Sequence, residues 1–319
     1  MIVVTGGAGF IGSNLIWGLN EVGGKDILVV DDLKNGMKHR NLSGLDVADY
    51  WDRSDLLEGR TKLGKIEAIF HMGACSSTRE WDGVYMMKNN YEYSKYVLGW
   101  ALEKEIPLIY ASSASVYGNG EAGFSEKRDC EYPLNIYAYS KFLFDQQVRR
   151  ALATKPKSPI VGLRFFNVYG PQENHKGKMA SVIFHFFNQV KRDNSFSLFE
   201  GSPGFKRDFI AVADVVKMML HFYRHQEISG IFNAGTGQAE SFEAIAEVVQ
   251  AVFPSAKKTY IPFPQELNEK YQKFTQADLT NLRTAGGYTE PFISLGSGVR
   301  AYLEVLNSSG GYLGLPKKP

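Results

Sequence analysis

The sequence predicts an α/β fold: a doubly wound parallel sheet with a smaller mixed α/β lobe. Two observations carry this. Short β-branched runs alternate with longer amphipathic runs through the first half of the chain, the signature of βαβ units. The strand-like runs are continuous apolar blocks, as required of strands covered by helices on both faces.

Taken in order, Ile2 to Thr5 reads as a strand and Phe10 to Val22 as the helix after it. Ile27 to Val30 and Ala68 to His71 follow as strands, Trp81 to Leu102 as a helix, and Leu108 to Ser112 as a further strand. A helix after Tyr137 carries Phe142, Leu143, Phe144 and Val148, and Ile160 to Phe166 is again strand-like, so at least six strands are expected. From Asn167 the texture turns to Gly, Pro, Lys and aromatic residues, with a helix over Ser181 to Val190 and a loop at Gly201 to Gly204. A strand over Gly230 to Asn233 precedes a helix from Ser241, a plausible N-cap, to Val252. The tail from Ser308 to Pro319 has little to bury and is expected to fray.

Composition narrows the function classes. With 44% hydrophobic residues in 319 the chain can bury a large core. A net charge of +2 with dispersed basic residues gives no footprint for nucleic acid. No apolar run approaches the ~18 to 20 residues that span a bilayer, so no membrane partner is expected. The first residues read as a strand rather than a signal peptide. Cys75 and Cys130 lie far apart without metal-ligand spacing, so no metal is expected and both read as reduced thiols of a cytoplasmic protein.

Gly6-Gly7-Ala8-Gly9-Phe10-Ile11-Gly12 closes the first strand and opens the first helix. Gly6 permits the tight turn, Gly9 lets the backbone approach a pyrophosphate, and Gly12 lets helix and strand pack closely. Helix-start amides then face the diphosphate. The second strand ends in Asp31-Asp32 about twenty residues on, where ribose hydroxyls are recognised in this arrangement. The motif in this place predicts a Rossmann-type dinucleotide site. Asp31 favours a free 2'-hydroxyl, whereas Lys34 and Lys38 would neutralise a 2'-phosphate; NADP is the expected cofactor and NAD the alternative. The small residues Gly73 to Ser76 let the chain lie close to the cofactor. Residues 1–166, rejoined by about 208–235, are assigned to the dinucleotide-binding domain, and 167–207 with 236–319 to the substrate domain.

Tyr137 and Lys141 stand four apart, one helical turn, on one face. An ammonium beside a phenol should lower its pKa from about 10 toward working pH, making Tyr137 a general base for a hydroxyl, while Lys141 also holds the nicotinamide ribose. Tyr110 to Gly118 supplies serines at the end of a strand, and Ser113 is the one expected to bond both substrate oxygen and Tyr137.

Together, the glycine loop, Ser112-Ser113-Ala114-Ser115-Val116-Tyr117-Gly118 and Tyr-x-x-x-Lys resemble the extended short-chain dehydrogenase/reductases acting on sugar nucleotides. More narrowly, Gly73 to Thr78, Glu80 to Gly83, Arg164 to Pro171, His175-Lys176-Gly177 and Phe274 to Leu279 resemble the ADP-L-glycero-D-manno-heptose 6-epimerase family. The resemblance covers nearly the whole chain. It implies a cytoplasmic homo-oligomer, a pentamer, that supplies ADP-heptose for the lipopolysaccharide inner core.

By position, the resemblance assigns Phe10, Ile11, Asp31, Asp32, Lys38, Arg53, Met72, Gly73, Ala74, Cys75, Ser76, Asn89, Lys141 and Val168 to the cofactor. It assigns Asn167, Lys178, His185, Phe199, Glu200, Gly201, Ser202, Arg207 and Tyr271, with Ser113, to the substrate. Arg207 is the natural diphosphate partner. The family commonly has Glu, Asn and Ser where Met72, Asp32 and Lys178 stand, and Asp32 would repel a 2'-phosphate. Inverting a carbinol carbon by hydride loss and return to the opposite face needs either reorientation of the intermediate or acid/base groups on both sides. Lys176, overhanging the nicotinamide, is the expected second group, acting opposite Tyr137 at C6'' of the heptose. The alternatives are a UDP-sugar 4-epimerase and a catalytically silent dinucleotide sensor. A 4,6-dehydratase would need an acid near Ser113, which the chain lacks, and a net sugar dehydrogenase would accumulate reduced cofactor.

Overall fold

The computed structural model describes residues 1–59, 63–264 and 272–315. Strand β1 (Ile2–Thr5) runs into the glycine turn and helix α1 (Phe10–Glu21), and β2 (Ile27–Asp31) follows. Next come β3 (Asp49–Asp52), α2 (Arg53–Leu57) and β4 (Ala68–His71). Helices α3 (Gly83–Met86) and α4 (Tyr93–Glu103) are joined by a π-helical stretch over Met87–Glu92. Strand β5 (Leu108–Ser113), helix α5 (Ile136–Ala153) and strand β6 (Ile160–Phe165) complete the first half.

The second half opens with β7 (Asn167–Tyr169), α6 (Val182–Asp193), β8 (Ser195–Phe199) and β9 (Lys206–Ala211). Helix α7 (Val212–Arg224) and strand β10 (Gly230–Ala234) return to the large sheet, and β11 (Ala239–Ser241), α8 (Phe242–Val252), β12 (Lys257–Ile261), α9 (Thr280–Thr284) and α10 (Leu295–Ser309) follow.

Among the described residues the large sheet has seven strands in the order β10-β6-β5-β4-β1-β2-β3. Every pairing in it is parallel. The pleat explains the apolar blocks: Ile2 and Val4 join the core with Leu15, Ile16 and Val215, while Val3 joins the opposite core with Leu28, Val97 and Phe144. Strand order reverses between β1 and β4, and the crevice for a ligand opens beyond the carboxyl ends of strands at such a point. A second core gathers Phe186, Phe196, Phe209, Val249, Val299 and Tyr302 around the strand sets β11-β9-β7 and β12-β8. Leu282 and Tyr288, by contrast, pack into the core of the large sheet.

Several features escaped sequence reading. Strand β3 is an edge strand whose residues stay partly exposed, so Asp49-Tyr50-Trp51-Asp52 has no apolar run to betray it. The single helix expected from Trp81 contains a wide π turn that buries Asn89 and Asn90, a local irregularity frequent at functional sites. The expected fraying of the tail is corrected for residues 308–315. Tyr312 is buried, Arg40 sits over its ring at 5.8 Å, and the Gln172 amide donates to Gly311 O at 2.7 Å. Both cysteines are free. Among the described residues no helix is long and apolar enough to cross a membrane.

Candidate active site

A cleft of about 970 Å³ opens at the switch between β1 and β4 and continues between the two cores. Its floor is the glycine turn. Gly6 has φ +67°, and a Cβ there would lie 2.6 Å from Gly73 N. One on Gly12 would lie 2.2 Å from Gly6 O, so helix, turn and the strand β4 exit touch backbone to backbone. Gly9 caps α1 with no side chain over the first amides, leaving them to an anion. A diphosphate fits this cradle, which any larger residue would fill.

At the end of β2 the Asp31 carboxylate accepts from Ala8 N at 2.8 Å, Asp32 N at 2.7 Å and Lys38 Nζ at 2.5 Å. Lys38 also donates to Asp32 O at 2.8 Å. The acid and the base that pull the cofactor choice in opposite directions thus neutralise each other. Arg53 donates to Asn89 Oδ1 at 2.5 Å, and both line the cleft beside Met72, Gly73, Ala74, Cys75 and Ser76. Asn90, not foreseen, accepts from Cys75 N at 2.8 Å and donates to Cys75 O at 3.0 Å and Ser140 Oγ at 3.1 Å, tying the β4 exit to α5.

Helix α5 begins at Asn135, whose side chain accepts from Ala138 N at 2.8 Å, and presents Tyr137, Lys141 and Asp145 at four-residue intervals along one face toward β5. Lys141 Nζ donates to Ala111 O at 2.7 Å, and burial brings its pKa down to about 8 against the opposing charge of Asp145. Burial raises the Tyr137 phenol above its ordinary value; the Ser113 hydroxyl counters part of the rise and Cys75 adds to it. The expectation that Lys141 lowers the phenol's pKa is therefore corrected. Desolvation dominates at Tyr137, and the ammonium is engaged by a strand carbonyl.

Beneath this face lies a buried network. Asp145 accepts from Tyr110 OH at 2.8 Å, Ser112 Oγ at 3.0 Å and Arg164 Nε at 2.9 Å. The wholly buried Arg164 also donates to Glu131 and, from Nη1, to Tyr117 OH at 3.0 Å. Burial alone would raise Glu131, but the Arg149 hydrogen bond and the Arg164 charge hold its carboxyl below the ordinary range.

Further lining comes from β7, the turn after it, and α6: Asn167, Val168, Lys176, Lys178 and His185, with Phe199 from β8. His185 is half-buried and open to the cleft rather than enclosed in the core. Lys176 Nζ lies 4.6 Å from the centre of the Phe10 ring, above the start of α1, and 3.6 Å from Glu173 Oε2. Asn41 Nδ2 donates to Ala8 O at 2.9 Å and Gln172 O at 3.1 Å and meets His175 Nδ1 at 3.1 Å, strapping this turn to the glycine loop. Burial, then the charges of Lys38 and Lys176, lower His175 to about 4 and keep it neutral.

Twenty-four of the residues assigned from sequence to catalysis, cofactor or substrate thus share one cleft lining, and Lys34 joins them. Among the described residues, Glu200, Gly201, Ser202 and Arg207 do not line it. Ser202 is buried and donates to Glu243 Oε2 at 3.0 Å, and Arg207 lies with its guanidinium 5.9 Å from the Phe242 ring, itself a cleft residue. Tyr271 lies outside the described residues. Thr78, within the Gly73 to Thr78 motif but given no role, also lines the cleft, as does Tyr85, which no motif marks. Among the described residues no cluster of His, Cys, Asp and Glu could hold a metal.

The chain is 57% identical over 318 residues to a curated ADP-L-glycero-D-manno-heptose-6-epimerase of Brachyspira hyodysenteriae, covering 98% of this chain and all of the relative. Its fold is similar to that of the Helicobacter pylori ADP-L-glycero-D-manno-heptose-6-epimerase, with TM-score 0.82 and 31% identity over 95% of this chain and 94% of that one. A Thermotoga maritima UDP-glucose 4-epimerase with UDP-glucose is similar at TM-score 0.81 and 25% identity, over 97% and 99% of the two chains. The model of the NAD dependent epimerase/dehydratase family matches residues 2–235, which hold the glycine turn, the serine-bearing end of β5, the Tyr137–Lys141 face and the Lys176 turn. The chain is thus a member of the NAD dependent epimerase/dehydratase family.

Proposed function

We propose that this protein is an epimerase that inverts C6'' of ADP-D-glycero-D-manno-heptose to give ADP-L-glycero-D-manno-heptose, the sugar nucleotide used for the lipopolysaccharide core. The observation that carries the reading is that Tyr137, on α5, and Lys176, on the turn after β7, line one cleft from different elements, over a dinucleotide cradle. Likeness to the Brachyspira hyodysenteriae relative along its full length supports the choice of sugar.

A bound nicotinamide ring supplies a hydride acceptor and donor, so the cycle has no net redox change. The chain supplies the protons. Tyr137, kept protonated by burial and touched by Ser113, is prepared to give a proton to a carbonyl oxygen. Lys176, its pKa lowered chiefly by burial, is prepared to take one from a hydroxyl. Because the two act from different walls, the same pair serves either epimer by exchanging roles. Lys141 orients the cofactor ribose, and Asn167, Lys178, His185 and Phe199 hold the sugar nucleotide, with the second lobe serving as the substrate domain.

NADP is the preferred cofactor in this reading. The 2.5 Å ion pair with Lys38 neutralises Asp31, and Lys34 stands in the same end of the cleft. Lys38→Ala should weaken NADP binding about tenfold or more, the worth of a charge-assisted hydrogen bond, and NAD binding by less, as titrated by protein fluorescence. Equal weakening of both would refute the preference.

The function itself is tested by offering ADP-D-glycero-D-manno-heptose and UDP-galactose side by side and following product stereochemistry by NMR. Inversion at C6'' of the heptose, without accumulation of reduced cofactor, is expected. Inversion at C4 of the galactose alone would make the protein a 4-epimerase instead.

A further inference from the structure

The turn that carries Lys176 is built around a carboxylate with no part in the proton transfers above. Glu173 is 0% exposed. Its oxygens accept from Ser181 N at 2.7 Å, Ser181 Oγ at 2.5 Å and Tyr302 OH at 2.8 Å. The remaining contact is Lys176 Nζ at 3.6 Å, longer than a hydrogen bond. Three neutral donors, from the start of α6 and from α10, therefore fix the carboxylate, while the lysine is the loosely held partner.

A carboxylate out of water needs its charge met. Among the described residues Lys176 is the one cation within 4 Å of Glu173, and Glu173 the one carboxylate within 4 Å of Lys176. Other ionisable groups share the cleft without replacing this pair. Asp31 is taken by Lys38, His175 is neutral, and Tyr137, Lys141 and His185 face the cleft from α5 and α6.

We propose that Glu173 is a positioning residue: an anchored counter-ion that sets where the Lys176 ammonium rests over Phe10 and how firmly it keeps its proton, and from which the lysine swings to the sugar. The proposal rests on the catalytic reading of Lys176. Burial lowers the proton affinity of Lys176, and the charge and hydrogen bond of Glu173 work against it. Gly177, at φ +53° and ψ −125° directly after the lysine, puts a sharp backbone turn beside the swinging side chain.

The test is Glu173→Gln in the full-length protein, reading the pH dependence of Lys176 modification by an amine-selective reagent through peptide mass spectrometry. The midpoint should fall by about one pH unit or more, as expected for loss of an adjacent opposite charge, and the matching limb of the kcat/KM profile should fall with it. Tyr302→Phe removes one hydrogen bond but keeps the charge, and should leave the midpoint in place. If Glu173→Gln does not fold, Glu173→Asp, which draws the charge back by one methylene, should move the midpoint the same way by less. An unchanged midpoint in a folded variant overturns the proposal, even if turnover drops. Lys176→Met tests the catalytic reading separately: full turnover there would end that reading while leaving the labelling result to stand or fall alone.

Discussion

Tyr137→Phe should lower kcat by about 10²- to 10⁴-fold, the range for a positioned acid/base group, with cofactor affinity unchanged. The hydroxyl is the only atom removed. It touches Ser113 at the end of β5, while the cradle at Gly6, Gly9 and Gly12 lies on another element. Lys176→Met, on the turn after β7, should give a loss of the same order. If both groups act at one carbon, the double variant should lose much less than the product of the two single losses, because either deletion already halts the cycle. Turnover by Tyr137→Phe within a few-fold of the parent would remove the phenol from the chemistry. The pH profile carries a second signature. Burial keeps the phenol protonated beyond its ordinary range, so an activity limb near pH 8 belongs to Lys141, whose titration burial brings down to about 8.

Arg164→Met should destabilise the fold by about 3–5 kcal/mol, the cost of stranding buried charges by removing their partner. The wholly buried guanidinium serves Asp145 and Glu131 together. Glu131 keeps Arg149 at 2.5 Å, but Asp145 loses its charged partner and keeps Tyr110 and Ser112. The acid side of the stability curve gives the sign. The Glu131 carboxyl is held below its ordinary range in the folded protein, so it contributes stability above its unfolded pKa and loses it as pH falls through the folded value. In Arg164→Met that loss should begin at higher pH. Urea unfolding at neutral and mildly acidic pH measures both effects, and a change below about 1 kcal/mol at neutral pH would show the network to be dispensable. Because Asp145 holds α5 against β5 one turn beyond Lys141, the folded variant should also turn over more slowly.

The large sheet was legible because its cause is local. Ile2 to Val4, Ala68 to Phe70 and Ile160 to Leu163 are each apolar without a break, which leaves few alternatives to a covered parallel strand. Edge strand β3 and the short strands of the second lobe were not legible, since Asp49-Tyr50-Trp51-Asp52 and Ala239-Glu240-Ser241 become strands only by pairing with partners far along the chain. Within the site, the glycine turn and the Tyr137–Lys141 face could be read from spacing. Asn90, Asn41 and Glu173 could not, because each acts by bonding a segment 15 to 134 residues away, or by closing a turn whose path no motif records.

By itself, then, the sequence determined the doubly wound sheet, the glycine turn after its first strand and the helix face bearing Tyr137 and Lys141, all consequences of periodicity and of glycine's missing side chain. The tertiary structure alone decided that Asp31 and Lys38 neutralise each other, that Lys176 rests between Phe10 and Glu173, and that the Tyr137 phenol is raised rather than lowered. The reason is that proton affinity follows desolvation and charges brought near in space, and neither is a property of neighbours along the chain.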